Sequence, residues 1–261
     1  MRIIVCAKQV PDTTEVRIDP VTNTLIREGV PSILNPDDAN ALEEALRYKD
    51  EHDDVTVTVV SMGPPQAEIM LRECLAMGAD EAYLVSDRAF GGSDTWATSN
   101  ALASAIRKIG DYDFIFGGRQ AIDGDTAQVG PQIAEKLGIP QVTYVQKFEK
   151  EGNVVTVQRQ LEDGYEVIRV KTPCMLTAVK ELNEPRYMAI DKIFECMNQE
   201  IKLLTINDLD VNAEDVGLKA SPTRVARSFT PDPKGKGVML NGTTDEKIEQ
   251  LVVALKHRHV I

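Results

Sequence analysis

The sequence predicts an α/β fold: a doubly wound, mainly parallel Rossmann-like sheet with an antiparallel extension and an extended C-terminal arm. Three observations support this. Apolar strands alternate with helical patterns over residues 2–137, strand-like segments separated by short turns follow up to residue 179, and periodicity is weak from residue 184 onward. Strands that alternate with helices are typical of right-handed βαβ units around a parallel sheet. We therefore expect an α/β domain over 1–183, an extended segment over 184–242 and an amphipathic helix over 243–261.

Composition narrows the classes of partner. The chain has 261 residues and a formal net charge of -12, which argues against nucleic acid or an anionic membrane surface as its main partner. It contains no run of 18 apolar residues, so no membrane span is expected.

The four cysteines form no Cys-x-x-Cys pair and the three histidines are not grouped with them, so no metal site is expected. Reduced, buried thiols favour a cytoplasmic protein.

The first elements follow from local patterns. Residues 2–7 are continuously apolar, which indicates a buried strand. Residues 15–27, with turn residues at their centre, suggest a small hairpin. Asn35 is a suitable N-cap and Pro36 suits the first helical position, so a helix is expected to begin here.

The middle of the chain repeats the strand–helix alternation. Gly63 and Pro64 open a helix that Gly78 ends, and the insert Asp87–Thr95 leads into another helix. The strands expected between these helices are 55–60, 81–85 and 113–116, and the helix after the insert covers 96–109.

The most informative stretch is the loop 117–131, which joins the strand 113–116 to a helix ending at Leu137. A strand that ends in a glycine-rich loop before a helix is the geometry in which backbone N–H groups and a helix N-terminus hold a phosphate. The glycines allow close approach of the backbone to a ligand; they are Gly117, Gly118, Gly124 and Gly130. The alternative is an ordinary surface loop with turn residues and a helix cap.

The start of the helix after this loop has two interpretations. Either the helix begins near Thr126 and Pro131 disturbs an early turn, or Gly130 caps it and Pro131 is its first residue. Asp123 and Asp125 cannot bind phosphate without a cation, so we interpret them as helix caps or as acceptors for ribose hydroxyl groups.

A second loop, Gly91–Thr95, is expected to border the same nucleotide. It resembles the Gly-Gly-x-Asp-Ser/Thr loop of ATP pyrophosphatases, but it follows a later strand than in those enzymes. Asp94, Thr95 and Thr98 lie at a helix start, where side chains and free N–H groups meet ligands. A capped surface loop is the alternative.

Several strand ends should meet at one edge of the sheet. Residues 6–8, 61–63 and 117–118 end strands at the carboxyl edge, which holds the ligand crevice in doubly wound sheets. Lys8 and Arg119 are candidate cations for a phosphate or a reduced, anionic ring. No Ser-His-Asp, Cys-His or paired-carboxylate pattern is found, so any chemistry is expected to belong to a bound cofactor.

The last third of the chain changes character. Strand patterns at 142–148, 154–160 and 165–170 predict an antiparallel extension, followed by a strand at 175–179. A final amphipathic helix covers 244–258 and is interpreted as docking against a large partner or packing on its own domain. Its apolar face consists of Ile248, Leu251, Val252 and Leu255.

These residues resemble those of a known family. The run Val157–Ile168, followed by Pro173–Thr177, is similar to the signature of the electron-transferring flavoprotein beta subunit. The similarity extends over nearly the whole chain and includes residues 6–12, 35–36, 76–80, 118–130 and 182–187. Two features resemble the electron-bifurcating branch, which is linked to NADH and ferredoxin: the phosphate loop Asp123–Gly130 and the insert Phe90–Thr98.

The resemblance implies a heterodimer with an alpha subunit that carries its own FAD. Ordinary beta subunits hold structural AMP, whereas the bifurcating branch holds a second FAD at the same site. In that branch NADH delivers hydride to this FAD, here expected between Ala7, Asp94 and Arg119, and electrons pass to the alpha-subunit FAD and to ferredoxin or flavodoxin. NADH oxidation would then belong only to the complex. The non-bifurcating subunit with AMP is the alternative.

The crevice and the resemblance together predict the site. The expected cofactor-binding residues are Cys6, Ala7, Lys8, Asn35, Asp38, Met62, Gly63, Asp94, Thr95, Thr98, Phe114, Gly118, Arg119, Gln120, Ala121, Asp123, Gly124, Asp125, Thr126, Ala127, Gln128, Val129 and Gly130. The resemblance also implies that the region after Tyr187 is a recognition loop for an acyl-CoA dehydrogenase-type flavoenzyme, with Ile190 at its apolar anchor position. Basic residues common there in ordinary members are scarce in this chain.

Overall fold

The computed structural model describes residues 1–12, 31–226 and 235–261. The hairpin predicted over 15–27 lies outside these ranges. The chain divides into two compact units, residues 1–226 and residues 227–261, which are described separately below.

A nine-stranded sheet forms the centre of the first unit, and its strands lie in the order β11 (Ile201–Leu204), β5 (Glu81–Val85), β4 (Thr56–Met62), β1 (Arg2–Cys6), β6 (Phe114–Gly118), β10 (Cys174–Ala178), β7 (Gln141–Glu151), β8 (Val154–Gln160) and β9 (Tyr165–Lys171). Neighbouring strands from β11 to β7 run parallel, and β7, β8 and β9 are antiparallel. The mainly parallel α/β fold with an antiparallel extension is therefore confirmed. A separate antiparallel pair is β2 Gln9–Pro11 with β3 Ser32–Leu34.

Helices cover both faces of the parallel part. The helices of the first unit are α1 Pro36–Asp50, α2 Glu68–Met77, α3 Thr95–Ile109, α4 Val129–Leu137, α5 Ile190–Cys196 and α6 Gly217–Ala220. On one face, Leu42 and Leu71 of α1 and α2 pack in the cluster that contains Ile3 of β1. On the other face, Ile106 and Ile133 of α3 and α4 pack in a second cluster. Strands buried on both sides read as continuous apolar runs, which is why the sequence predicts them well.

The helix starts differ in part from expectation. Asn35 occupies the N-cap position of α1 and Pro36 its first position, as predicted, but the side chain of Asn35 makes no capping hydrogen bond to the helix. Asp94 does cap α3, since its carboxylate accepts the N–H of Ala97. Helix α4 begins at Val129, which places Pro131 at its third position and contradicts both predicted starts. Proline is tolerated there because N–H groups of the first turn have no intrahelical partner.

The segment after residue 184 is less extended than its composition suggests. Residues 190–196 form helix α5, and residues 201–204 form β11, which pairs in parallel with β5 at one edge of the sheet. The prediction of an extended segment throughout 184–242 is therefore wrong for this part. A seven-residue helix and a four-residue edge strand are too short to show a clear periodicity.

The opposite edge of the sheet is β9. It pairs with β8 on one side, and its side chains are mostly exposed, including Tyr165 and Val167. Within the described ranges, no helix combines the length and apolar character needed to cross a lipid bilayer.

The second unit contains helix α7, Thr244–His257. A capping box between Thr243 and Glu246 starts it. Ile248 and Leu251 of its predicted apolar face are exposed, and none of the residues of α7 is buried.

Candidate functional site

A cavity of about 860 Å³ opens at the carboxyl edge of the sheet. Its floor includes Cys6 and Ala7 at the end of β1 and Gly117 and Gly118 at the end of β6. In chain order β1 leads to β4 on one side, whereas β6 lies on its other side, so the strand order reverses between β1 and β6. Ligands of doubly wound sheets bind at such switch points.

The cavity gathers most of the residues that the sequence predicts. Of the expected cofactor-binding set, it is lined by Cys6, Ala7, Lys8, Asp38, Met62, Gly63, Asp94, Thr95, Thr98, Gly118, Arg119, Gln120, Ala121, Gly124, Asp125, Thr126, Ala127, Gln128, Val129 and Gly130. Asn35, Phe114 and Asp123 do not line it. Phe114 is fully buried in the core against Tyr48 and Phe148, so the structure contradicts its prediction as a cofactor contact.

Asp38 connects the strand ends beneath the cavity. Its carboxylate accepts the backbone N–H of Lys8 over 2.9 Å and that of Gly118 over 2.7 Å. Burial raises the pKa of this carboxyl to about 7, although both N–H groups favour the ionised form. Asp38, in the first turn of α1, thus holds the end of β6 and the residues after β1 at a fixed distance from each other beside the cavity.

Packing requires glycine at two positions of the loop. A Cβ at Gly118 would lie 2.5 Å from Oδ1 of Asp38, and a Cβ at Gly130 would lie 2.6 Å from Cγ2 of Thr177. Both distances are too short, so glycine allows α1 to approach β6 and α4 to approach β10. A Cβ at Gly124, in contrast, would meet no atom within 4 Å.

Asn35 holds the loop between β6 and α4. Its side-chain amide donates to the carbonyl of Gln120 over 2.9 Å, and its side-chain oxygen accepts the N–H of Ile122 over 3.1 Å. Asn35 therefore lies behind the cavity wall and supports the loop, not a ligand, directly.

The two acidic residues of the loop bind other side chains. Asp123 pairs with Lys8 at 2.6 Å, and Asp125 accepts a hydrogen bond from Nε2 of Gln120 at 2.7 Å. These contacts replace the expected helix caps.

The loop backbone is shaped to bind an anion. Asp125 and Ala127 have left-handed φ angles of +51° and +52°, and Gln128 follows in the right-handed region. Adjacent residues of opposite hand direct successive N–H groups to one side and form a concave anion site. Helix α4 then starts at Val129, and its first N–H groups and dipole add to the positive potential.

The opposite wall is the loop before α3. Oδ2 of Asp94 accepts the N–H of Thr223, and the N–H of Asp94 donates to the buried hydroxyl of Ser221. Asp94 was predicted to contact a cofactor ring. Both oxygens of its carboxylate instead accept backbone N–H groups, one from Ala97 at the start of α3 and one from Thr223 after α6. Thr95 bridges the two walls, because its hydroxyl donates to Oε1 of Gln128 over 2.9 Å.

Three cationic side chains lie along the cavity in the part of the chain that the structure describes. Besides Lys8, Arg119 approaches Asp37 at 3.3 Å and lies 5.9 Å from the ring centre of Tyr144. Arg88 is exposed at the opposite wall, and sequence reasoning missed it. Its only signal was its position in the insert before the second glycine-rich loop. Apolar side chains of the lining were missed as well, since they come from core positions: Phe90, Leu102, Ile133 and Met175.

One cysteine, Cys6, is among the described lining residues. Burial raises the pKa of the Cys6 thiol to about 12, and the nearby Asp38 carboxylate adds to this, so Cys6 is not a thiolate nucleophile at neutral pH. Among the residues that the structure describes, no group of three or more His, Cys, Asp or Glu side chains is arranged to hold a metal ion.

The residues predicted for partner recognition lie elsewhere on the surface. Tyr187 and Ile190 are 96 % and 77 % exposed. Phe194 and Met197 of the same stretch are exposed as well, so apolar side chains cluster here on the surface of the first unit.

Comparison with known proteins agrees with this architecture. The model of the electron transfer flavoprotein domain matches residues 22–203. The chain is 61% identical over 262 residues to the caffeyl-CoA reductase-Etf complex subunit CarD of Acetobacterium woodii, and 62% identical over 262 residues to the electron transfer flavoprotein subunit beta of Thermoanaerobacterium thermosaccharolyticum, each match covering 100% of both chains. It is also 53% identical over 269 residues, again with full coverage of both chains, to the acryloyl-CoA reductase electron transfer subunit gamma of Anaerotignum propionicum. The chain therefore belongs to the electron transfer flavoprotein family, among its beta subunits.

Proposed function

We propose that this beta subunit belongs to an electron-bifurcating electron transfer flavoprotein and that its cavity holds FAD. When bound, FAD would accept hydride from NADH and supply electrons to the FAD of the alpha subunit and to ferredoxin or flavodoxin. The chain itself would bind and orient the cofactor and adjust the charge around it.

The extent of the cavity carries the proposal. It runs from the loop 118–130, across the ends of β1 and β4, to the loop 86–95, with a volume of about 860 Å³. AMP is only one half of FAD and would leave one of these two walls without a ligand. The volume lies within the range of about 300–1,000 Å³ that is typical of ligand pockets.

The chemistry of the two walls suits the two ends of FAD. The concave backbone at Ala127–Gln128 and the start of α4 would hold the pyrophosphate. Phe90, Met62 and the paired prolines 64–65 offer apolar surface on the opposite side, where a flat ring would lie with Arg88 beside it. A cation near the ring stabilises the negative charge of a reduced flavin.

Nucleotide analysis of the purified heterodimer tests the proposal. The nucleotides are released by denaturation, separated by chromatography and counted against protein. Two FAD molecules per heterodimer are expected. One FAD and one AMP would instead identify an ordinary beta subunit with a structural nucleotide and would contradict bifurcation.

For the electron acceptor we propose an acyl-CoA dehydrogenase-type flavoenzyme that docks on the exposed residues around Tyr187 and Ile190. Two relatives are named as parts of complexes with CoA-thioester reductases, for caffeyl-CoA and for acryloyl-CoA. Caffeyl-CoA reductase from Acetobacterium woodii is therefore a suitable probe. Ile190→Ser in the heterodimer should raise the KM for this reductase, whereas an unchanged KM would contradict the docking site.

Two further parts of the chain would bind the other proteins of the complex. Of the expected recognition segment 184–242, we assign the exposed residues of 187–197 to partner recognition, because β11 pairs within the sheet of this chain. We assign the exposed helix α7 to docking on the alpha subunit.

A further inference from the structure

The segment that leads to the exposed residues is held by helix α1. Arg186 directs both ends of its guanidinium at Glu43: Nε lies 2.8 Å from Oε2 and Nη2 lies 3.1 Å from Oε1. The backbone N–H of Arg186 donates to Oε2 of Glu43 as well, over 3.1 Å. Nη2 also contacts Asp50, the last residue of α1, at 2.7 Å. Planar, two-point pairing of this kind fixes direction as well as distance.

The environment of Glu43 distinguishes this pair from a surface ion pair. The side chain of Glu43 is 6 % exposed and that of Arg186 is 30 % exposed. The ion pair raises the pKa of Arg186 above its ordinary value. Loss of one partner would leave a buried charge without compensation, which is far more costly than loss of an exposed pair.

The residues just before Arg186 are tied to the same helix. The side-chain amides of Asn40 and Asn183 each donate to the backbone carbonyl of the other, over 2.7 and 3.0 Å. Asn183 also donates to Glu44 over 2.9 Å. Residues 183–186 thus follow one face of α1 for more than one turn.

The far end of the segment has a second arginine contact. Arg72 of α2 donates to the carbonyls of Cys196 and Gln199, and the N–H of Ala189 donates to the carbonyl of Ala76. The exposed apolar side chains, Tyr187 to Met197, therefore lie on a segment that is fixed at both ends.

We infer that Glu43 is a positioning residue for partner recognition, which acts through Arg186 to fix the segment 187–197 before the partner arrives. The inference rests on the docking site proposed above. A segment ordered in advance loses less conformational freedom on binding, so the contact strengthens docking without touching the partner. Glu43 also lies outside the cavity lining, so its effect on docking is separable from cofactor binding.

The test uses the complete heterodimer with Glu43→Gln, which keeps the shape of the side chain and removes its charge. The matched control is Glu51→Gln, because Glu51 is exposed at the end of the same helix. Steady-state reduction of caffeyl-CoA by the Acetobacterium woodii reductase gives KM for the reductase and kcat. Flavin content and hydrogen–deuterium exchange of 184–197 are measured on the same samples.

Glu43→Gln should raise the KM for the reductase by about tenfold, with kcat and flavin content unchanged and faster exchange over 184–197. Arg186→Lys, a second variant that cannot pair at two points, should act in the same direction. If Glu43→Gln keeps the KM of Glu51→Gln while Ile190→Ser raises it, the inference is overturned and the docking site stands. If both variants of the pair lose flavin, the contact supports the fold alone and the inference is equally wrong. An unaffected KM in Ile190→Ser would reject the docking site itself.

Discussion

The side-chain amide of Asn35 donates a hydrogen bond to the backbone carbonyl of Gln120 over 2.9 Å, and this contact joins the residue before α1 to the loop before α4. The oxygen of the same amide accepts the N–H of Ile122. A single buried side chain therefore binds both a backbone carbonyl and a backbone N–H of the loop.

Asn35→Ala is therefore expected to weaken FAD binding to the heterodimer by about tenfold or more, since two hydrogen bonds of roughly 0.5–1.5 kcal/mol each are lost. Titration of the flavin-depleted heterodimer with FAD measures this. Asn35→Asp also loses the donor and places a buried carboxyl group against the carbonyl of Gln120 and against Asp38, so it should bind FAD no better than Asn35→Ala. Equal affinity of all three proteins would show that the loop needs no support from Asn35.

Gly118→Ala should lower the free energy of unfolding by about 1–3 kcal/mol, because the added methyl group would overlap Asp38 and Asp37 at the start of α1. Urea denaturation of the heterodimer provides the measurement. Gly124→Ala is the matched control in the same loop: no atom lies within 4 Å of its added Cβ, and a change within about 0.5 kcal/mol is expected. Comparable destabilisation by both variants would count against the packing role of Gly118.

Asp94→Ala should act on the chain after α6 as well as on the cavity. It removes the cap of α3, which is worth about 1 kcal/mol, and the acceptor for the N–H of Thr223. Faster hydrogen–deuterium exchange is expected over 217–226. Thr95→Ala, which keeps the cap and removes only the link to Gln128, should leave this region protected. The same protection in Asp94→Ala would mean that the contact with Thr223 does not hold this part of the chain.

The ionisation of Asp38 should make stability depend on pH. Burial raises its pKa from 3.8 to about 7 in the folded chain. Between these two values the folded state holds one proton more than the unfolded state, so the free energy of unfolding falls as pH rises through this window. The total effect is on the order of 4 kcal/mol.

Asp38→Asn should therefore reduce the slope between pH 4 and pH 7, as measured by urea denaturation of the heterodimer at several pH values. Asp53→Asn, a change at an exposed carboxylate, is measured alongside as the control. An unchanged slope in Asp38→Asn would show that Asp38 is already ionised at low pH.

The parallel sheet was predictable because its strands are apolar and separated by helices with clear punctuation. The strand Glu81–Val85 and the end of α2 at Gly78 agree with the sequence pattern. Helix α5 and strand β11 were not predictable, since each is short and depends on partners far along the chain. The contact of Arg186 with Glu43, 143 residues away, leaves no local pattern.

For the cavity, the sequence indicates which loops meet, because parallel strands share a carboxyl edge. It does not distinguish residues that line the cavity from residues that support it. Asn35 and Asp123 are polar and close in sequence to lining residues, yet their side chains bind the loop and Lys8. In the sequence, a glycine that allows a ligand to approach cannot be distinguished from one that allows a neighbouring helix or strand to approach. The short distances from an added Cβ at Gly118 and Gly130 show that packing requires glycine at both positions.

Among the residues that the structure describes, β9 is the last strand of the sheet: it pairs with β8 on one side only, and Tyr165 and Val167 are exposed. An open row of N–H and C=O groups beside apolar side chains is a template for a further strand from another molecule. When produced alone, this chain should therefore be prone to self-association.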